Sequence, residues 1–136
     1  MGVGFTYFIY PEDEIAQPIP TPTATVTVVK SDLIKVSSPL PSQEIESPLE
    51  ITGEARGYWY FEASFPIHLL DGNGIEIAVA PAQAQSEWMT TDFVPFKLVL
   101  LFDKPTTPTG TLVLKKDNPS GLPEHDDEIR IPVRFK

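Results

Sequence analysis

The densest group of side chains that could bind a metal ion lies near the C-terminal end, in the stretch LPEHDDE. Glu124, Asp126 and Asp127 supply carboxylates there, with His125 among them and Glu128 directly after them. Crowded carboxylates attract divalent cations, and a ligand set made mostly of oxygen favours weakly bound Ca²⁺ over zinc. A solvated acidic loop that leads into the last strand explains the same residues and is the interpretation we favour. The metal site is the secondary hypothesis.

A second oxygen-rich stretch is DGNG, residues 71–74, in which Asp71 and Asn73 alternate with glycine. It lacks the later ligands and the bidentate glutamate that a calcium loop needs. Asp and Gly between two strands are typical of a hairpin turn. We therefore predict a hairpin here rather than a calcium site.

Four consecutive aromatic residues, Tyr58 to Phe61, carry the chemistry of ring stacking and apolar contact. From residue 58 to residue 69 the odd positions are all apolar, and all but one of the even positions carry a polar group. Side chains two residues apart share one face of a strand, so the run predicts a strand, straight or bent, whose odd face is core. Trp59 and Phe61 are the expected buried anchors.

The even face of this run would expose Tyr58 and Tyr60 beside the carboxylate of Glu62. Cross-strand packing on a solvent face explains this pattern without a ligand, and we prefer that explanation. The functional alternative is a contact surface for a protein or a sugar, since tyrosine and tryptophan are enriched at interfaces. Trp88, in the stretch WMTTDF, is expected to cap the domain and is the third ring that a sugar-binding surface would use.

Nothing in the sequence points to catalysis. There are no cysteines, which excludes thiol nucleophiles, disulfides and thiolate metal sites. His68 and His125 are the only histidines, and neither G-x-S-x-G nor H-E-x-x-H occurs. The carboxylates are too evenly spread to nominate a pair for glycoside hydrolysis. We predict a protein that is not an enzyme and that needs no cofactor.

The charge of the chain argues against nucleic-acid binding. There are 19 acidic and 10 basic residues, which gives a formal net charge of −9. A chain this acidic is repelled by the phosphates of DNA and RNA. We therefore expect no nucleic-acid partner.

The elements that must position these residues are strands. The 15 prolines argue against long helices, because proline removes a backbone donor and clashes with the preceding turn. Apolar residues alternate instead, most clearly in the last segment, where Ile129, Ile131, Val133 and Phe135 share one face. Turn-forming stretches separate seven to eight such segments. The pattern predicts an all-β, immunoglobulin-like β-sandwich over residues 32–136.

The N-terminal part of the sequence has a different composition. Residues 1–10 are apolar and uncharged, but they are fewer than the roughly 20 residues that cross a bilayer, and they lack the features of a signal peptide. They are either the outer end of a membrane anchor that begins upstream or a slightly sticky tail. Residues 11–31 are rich in Pro and Thr and predict a disordered, semi-rigid stalk. This layout is typical of an envelope protein held off a membrane.

Three stretches resemble a known family, the Gmad2 domain: SPLPSQEIESPLEITGEARGYWYFEASFPIHLLDGNG, AQAQSEWMTTDFVPFKLVLLF and GTLVLKKDNPSGLPEHDDEIRIPVRF. This is the immunoglobulin-like domain associated with bacterial spore germination and sporulation proteins, and the resemblance covers residues 33–136. It implies an immunoglobulin-like fold, a cell-envelope setting and no established enzymatic activity. No partner germination domain accompanies it in this sequence, so we carry over the fold and the location rather than a role in spores.

Three functional hypotheses follow from this sequence. The first is a non-catalytic, extracytoplasmic binding or assembly module of the bacterial cell envelope, membrane-anchored or secreted, which contacts an envelope protein through sheet edges and the Tyr58/Tyr60 face. The second is a module that binds peptidoglycan or another cell-wall polymer through Tyr58, Tyr60 or Trp88. The third is a structural spacer without a ligand. A sugar platform needs at least two coplanar exposed rings in a groove, so ring exposure separates the first two.

Overall fold

A computed structural model describes residues 30–136 of the chain. The apolar segment predicted at 1–10 and most of the linker predicted at 11–31 lie outside the described residues. The last two linker residues, Lys30 and Ser31, belong to a turn in which the Lys30 carbonyl accepts hydrogen bonds from the amides of Leu33 and Ile34, at 2.8 and 2.9 Å. Within the described range, no helix is long and apolar enough to cross a membrane.

Eight strands, with two short 3₁₀ turns between them, make up the regular structure of the described residues. They form one sheet with the strand order β1-β3-β6-β5-β4-β7-β8-β2, in which β2 and β8 pair in parallel and the other neighbours pair antiparallel. Their bounds are β1 (Ile34–Ser38), β2 (Gln43–Ile45), β3 (Leu49–Arg56), β4 (Ser64–Asp71), β5 (Glu76–Ala84), β6 (Phe93–Leu100), β7 (Thr109–Lys115) and β8 (Glu128–Phe135).

The sheet curls over on itself at β5. This strand pairs with β4 over most of its length, but only its last two residues, Gln83 and Ala84, pair with β6. The narrow junction lets the β1-β3-β6 half face the β4-β7-β8 half across one core. Phe65 of β4 and Phe96 of β6 meet edge to face across that core, with ring centroids 5.0 Å apart. The predicted immunoglobulin-like sandwich of seven to eight strands is confirmed.

The alternation read from the sequence is correct in the later strands. All four residues predicted to face inward in β8 are buried, and those predicted to face outward are exposed. Burying a large aliphatic side chain contributes about 1.5–3 kcal/mol, so these inner faces supply the main favourable term for folding.

The aromatic run forms a different structure from the one predicted. Gly57–Trp59 is a single 3₁₀ turn, and β4 begins only at Ser64. Between them Phe61 and Ser64 exchange backbone hydrogen bonds of 2.9 and 3.2 Å around Glu62 and Ala63, whose φ angles are +52° and +67°. Two successive residues with positive φ make a tight two-residue turn that reverses the chain. The predicted strand over residues 58–69 is therefore wrong before Ser64 and correct after it.

Because of this turn, the predicted burial of two residues is reversed. Phe61, predicted to be a buried anchor, is 41% exposed, whereas Tyr60, predicted to be on the exposed face, is 3% exposed. Trp59 is fully buried, as predicted. The physical reason is that β3 and β4 belong to opposite halves of the sandwich, so the chain between them must turn and cross over.

A pair of substitutions in this stretch tests the corrected burial. Phe65→Ala removes a ring from the centre of the core and should lower the free energy of unfolding by about 3–5 kcal/mol. Phe61→Ala removes another phenylalanine at an odd position and should lower the free energy of unfolding by about 1 kcal/mol or less. Urea unfolding of the two variants and the unaltered chain measures both costs, and equal costs would support the straight strand instead.

Candidate functional site

Three loops come together at one end of the sandwich. Because antiparallel neighbours alternate in direction across the sheet, β3, β5 and β7 all run the same way, and the loops after them share one end. We call these loops, residues 57–63, 85–92 and 116–127, the tip. All the binding and metal-site residues singled out in the sequence lie in the tip: Tyr58, Tyr60, Glu62, Trp88, Glu124, Asp126 and Asp127.

Main-chain hydrogen bonds join the three loops. The Gly57 amide donates to the Asp92 carbonyl at 3.1 Å, which ties the first loop to the second. The Asp117 amide donates to the Trp59 carbonyl at 3.0 Å, which ties the third loop to the first. Arg56, at the end of β3, adds a guanidinium hydrogen bond of 3.3 Å to the Thr91 carbonyl. The tip is thus a connected surface rather than three separate loops.

The first and second loops enclose an open hollow of about 350 Å³. We call it the aromatic hollow, and it is lined by Gly57, Tyr58, Trp88, Met89, Thr90 and Thr91. Tyr58 is 48% exposed, Met89 is 74% exposed, and Trp88 is half-buried. The sequence nominated Tyr58 and Trp88 separately, and the structure places them in the same hollow.

One of the charged groups near the hollow is a lysine of the third loop. The Lys116 ammonium lies 6.0 Å from the centroid of the Tyr58 ring. A cation at this distance from an aromatic face is attracted by the ring quadrupole. The site therefore combines exposed apolar groups with a positive charge at its margin.

Tyr60 does not belong to the exposed surface, which corrects its predicted position. Its hydroxyl donates a hydrogen bond of 2.6 Å to the Val94 carbonyl, and its ring packs edge to face on Phe65 with centroids 5.3 Å apart. Burial raises the pKa of this hydroxyl well above its ordinary value. Tyr60 thus supports the tip from beneath. Glu62 is exposed on the tight turn and does not line the aromatic hollow.

The acidic loop is occupied by contacts of its own. Asp126 accepts a hydrogen bond of 2.7 Å from the Asn118 side chain, Asp127 pairs with Lys30, and Glu124 is exposed in a 3₁₀ turn. Within residues 30–136, no group of three or more histidine or acidic side chains is placed to hold a metal ion. The geometry therefore lends the metal hypothesis no support.

The DGNG stretch forms the hairpin between β4 and β5, as predicted. One carboxylate oxygen of Asp71 accepts hydrogen bonds from the amides of Asn73 and Ile75, at 2.8 and 3.0 Å. This oxygen closes the turn, since an Asp side chain can bond to the backbone two residues on.

Sequence reasoning missed two residues that shape the aromatic hollow. Met89 is its most exposed apolar group, and its position beside Trp88 was the only signal for it. Gly57 lies against the second loop, because a Cβ atom there would be 1.9 Å from the Thr90 carbonyl oxygen and 2.2 Å from that of Trp88. A glycine between the end of a strand and an aromatic residue is too common a pattern to reveal such a contact.

Comparison with family models matches residues 33–122 to Gmad2, described as the immunoglobulin-like domain of bacterial spore germination. The chain belongs to this family. The matched residues include β1 to β7 of this Gmad2 domain, with the first two loops of the tip and part of the third, whereas β8 lies beyond the match. Comparisons with curated proteins and with solved structures gave no match. The resemblance read from the sequence is confirmed.

Gly57→Ala should disturb the aromatic hollow of the Gmad2 domain. The new methyl group must push the Trp88–Thr90 backbone away, and we expect a loss of stability of about 1–3 kcal/mol. Trp88 should become more exposed and its fluorescence should shift to longer wavelength. Gly72→Ala is the control. Gly72 lies in the β4–β5 turn, and a Cβ atom there would come no closer than 3.1 Å to Thr107. An unchanged emission spectrum in Gly57→Ala would contradict the contact.

Tyr60 should make the domain less stable in alkali. The folded state favours the neutral hydroxyl, and an unfolded tyrosine ionises near pH 10. The stability that the buried, neutral Tyr60 hydroxyl contributes is therefore complete below about pH 10 and is lost as the pH rises further. Thermal unfolding between pH 8 and 11 should show this fall. In Tyr60→Phe the fall with pH should be much smaller, and the lost hydrogen bond to the Val94 carbonyl should cost about 0.5–1.5 kcal/mol, whereas Tyr58→Phe should keep the fall.

Proposed function

We propose that this Gmad2 domain is a non-catalytic, extracytoplasmic binding and assembly module of the bacterial cell envelope, and that its tip contacts a protein partner. The observation that carries the proposal is the aromatic hollow, where Tyr58, Trp88 and Met89 come together. The family description links the domain to spore germination. A role of this chain in that process is part of the proposal.

The composition of the hollow favours a protein partner. Tyrosine, tryptophan and methionine are enriched where proteins meet, and methionine adapts its shape to different partners. Tyr58 and Met89 remain exposed, whereas more than half of the large apolar side chains in the described part of the chain are buried. Loops at one end of an immunoglobulin-like sandwich carry the binding residues of antibodies, which is an analogy at the level of the fold.

The envelope location is supported by the order of segments along the chain. An apolar segment at 1–10 and a Pro/Thr-rich segment at 11–31 precede the domain. Such a segment acts as a spacer between a folded unit and the point of attachment. An attachment on the outer face of the membrane would then place the domain among other envelope proteins.

A wall-polymer ligand is the second candidate, and one observation favours it. Tyr58 and Trp88 line the same hollow, and a sugar-stacking site needs two rings in one groove. The burial of Tyr60 removes one of the three rings on which this hypothesis was built. Met89 and the nearby Lys116 are not specific to sugars, so the protein partner remains the first proposal.

Two single-cysteine variants of the full chain test the proposal, because the natural chain has no cysteine. Met89→Cys places a thiol in the aromatic hollow, and Leu101→Cys places one beyond the end of β6, opposite the tip. The side chains they replace are similarly exposed, at 74% and 70%. Each variant is labelled on intact cells with a membrane-impermeant, thiol-reactive photo-crosslinker. We expect labelling of both variants and a protein adduct from Met89→Cys alone.

Three results would contradict the proposal in different ways. Labelling only after the cells are permeabilised would contradict the extracytoplasmic location. Equal adducts from both positions would contradict the assignment of the tip as the contact surface. If neither position gave an adduct, the hypothesis of a structural spacer without a ligand would remain. Adducts that a muramidase removes would favour the wall polymer. Tyr58→Ala in the Met89→Cys background should weaken a specific contact by about tenfold or more, as expected for an interface anchor.

A further inference from the structure

Charge is divided unevenly between the tip and the sandwich body, by which we mean residues 30–136 outside the tip. The three tip loops hold seven acidic residues and one lysine, whereas the body holds nine acidic and nine basic residues. Lys30, Arg56 and Lys115 of the body adjoin the tip, and with these three counted the seven acidic residues still outnumber four basic ones. The tip is therefore the negatively charged end of a domain whose body is neutral.

The carboxylates of the body are mostly paired with cations, whereas those of the tip are not. In the body, six of the nine contact a lysine, arginine or histidine side chain, as Glu50 contacts Lys97 at 3.1 Å. In the tip, Asp127 alone forms such a pair within residues 30–136. Residues 1–29 contain no lysine, arginine or histidine. The negative charge of the tip is thus left for solvent or another molecule to neutralise.

The carboxylates of the tip are spread around the aromatic hollow. Glu87 and Asp92 flank the lining residues 88–91, and one Glu87 oxygen accepts a hydrogen bond of 2.9 Å from the Met89 amide. The Asp117 amide bonds to the Trp59 carbonyl, which places Asp117 beside the first loop. No three acidic or histidine side chains of the described domain converge on a single metal ion. The arrangement suits several cations carried by one extended partner.

The aromatic hollow has the chemistry to hold a long cationic side chain. The Lys116 ammonium already lies 6.0 Å from the centroid of the Tyr58 ring. A cation here is attracted both by the ring quadrupole and by the surrounding carboxylates. Lysine and arginine also carry aliphatic stems that pack along apolar surface, which Trp88 and the exposed Met89 offer.

We propose that the tip binds a protein segment rich in lysine or arginine, whose side chains enter the aromatic hollow. This inference rests on the proposed function and names the chemistry of the partner. Opposite charges speed the encounter of two surfaces and disfavour partners of the wrong sign. Because the body is neutral, the attraction directs such a partner to the tip.

Two triple variants separate the charge of the tip from the charge of the whole chain. The tip variant removes one exposed carboxylate from each loop: Glu62→Gln, Asp92→Asn and Glu124→Gln. The control variant removes the same charge from exposed positions at the opposite end of the sandwich: Glu44→Gln, Glu46→Gln and Glu50→Gln. The tip variant should unfold at the same temperature as the unaltered chain or a higher one, because it loses like-charge repulsion.

NMR titration of the full chain with two short peptides tests the proposal. One peptide alternates lysine with serine, and the other has glutamate in place of every lysine. We expect saturable shifts of the Trp88 indole signal with the lysine peptide and none with the glutamate peptide. The dissociation constant of the lysine peptide should rise by about tenfold in the tip variant and by no more than about twofold in the control variant.

Four results would overturn the proposal. These are equal binding of the two peptides, equal loss of affinity in the two variants, no shift with the lysine peptide at millimolar concentration, and tighter binding of a chitosan oligomer. The last result would assign the cation to an amino sugar instead of a protein. The crosslinking of Met89→Cys in cells does not depend on these peptides. A protein adduct there, without preference for the lysine peptide here, would leave the proposed function standing and remove this inference alone.

Discussion

The packing of three aromatic rings under the tip is the interaction on which the rest of the structure depends. Tyr60, Phe65 and Phe96 meet edge to face in sequence, with centroids 5.3 and 5.0 Å apart. They come from the first tip loop, β4 and β6, so they join both halves of a sheet that is continuous only through two residue pairs at β5 and β6. Edge-to-face contacts add about 0.5–1.5 kcal/mol each to the burial of the rings.

The same constraint explains why the exposed aromatic residues gather where they do. A chain that leaves β3 in one half and enters β4 in the other must cross the end of the core, and it does so by the 3₁₀ turn and the tight turn at Glu62 and Ala63. This path points Tyr60 inward and Tyr58 outward. The close approach of Gly57 to the second loop then brings Trp88 beside Tyr58. The hollow is a consequence of how the sandwich closes.

The sequence predicted the parts of the structure that depend on local periodicity. In β8 and β4 each side chain faces the way its parity indicates, because a strand between two neighbours has no freedom to change face. Parity could not reveal the turn at Glu62 and Ala63, because neither residue is glycine and both adopt positive φ. The meeting of Tyr58 with Trp88 depends on the Gly57–Asp92 hydrogen bond, which joins residues far apart in sequence. No local pattern reports such a bond.

The two end strands of the sheet differ in how well they are protected against pairing with another chain. β2 is only three residues long, and charged pairs flank it, such as Glu44 with Arg134 at 3.8 Å. Short, charged edges of this kind resist pairing with another chain. The edge of β1 adjoins an apolar groove, so it lacks this protection along that side. Unpaired amides and carbonyls beside apolar side chains are the features by which an edge strand pairs with a strand of another chain, so β1 is the more reactive of the two edges.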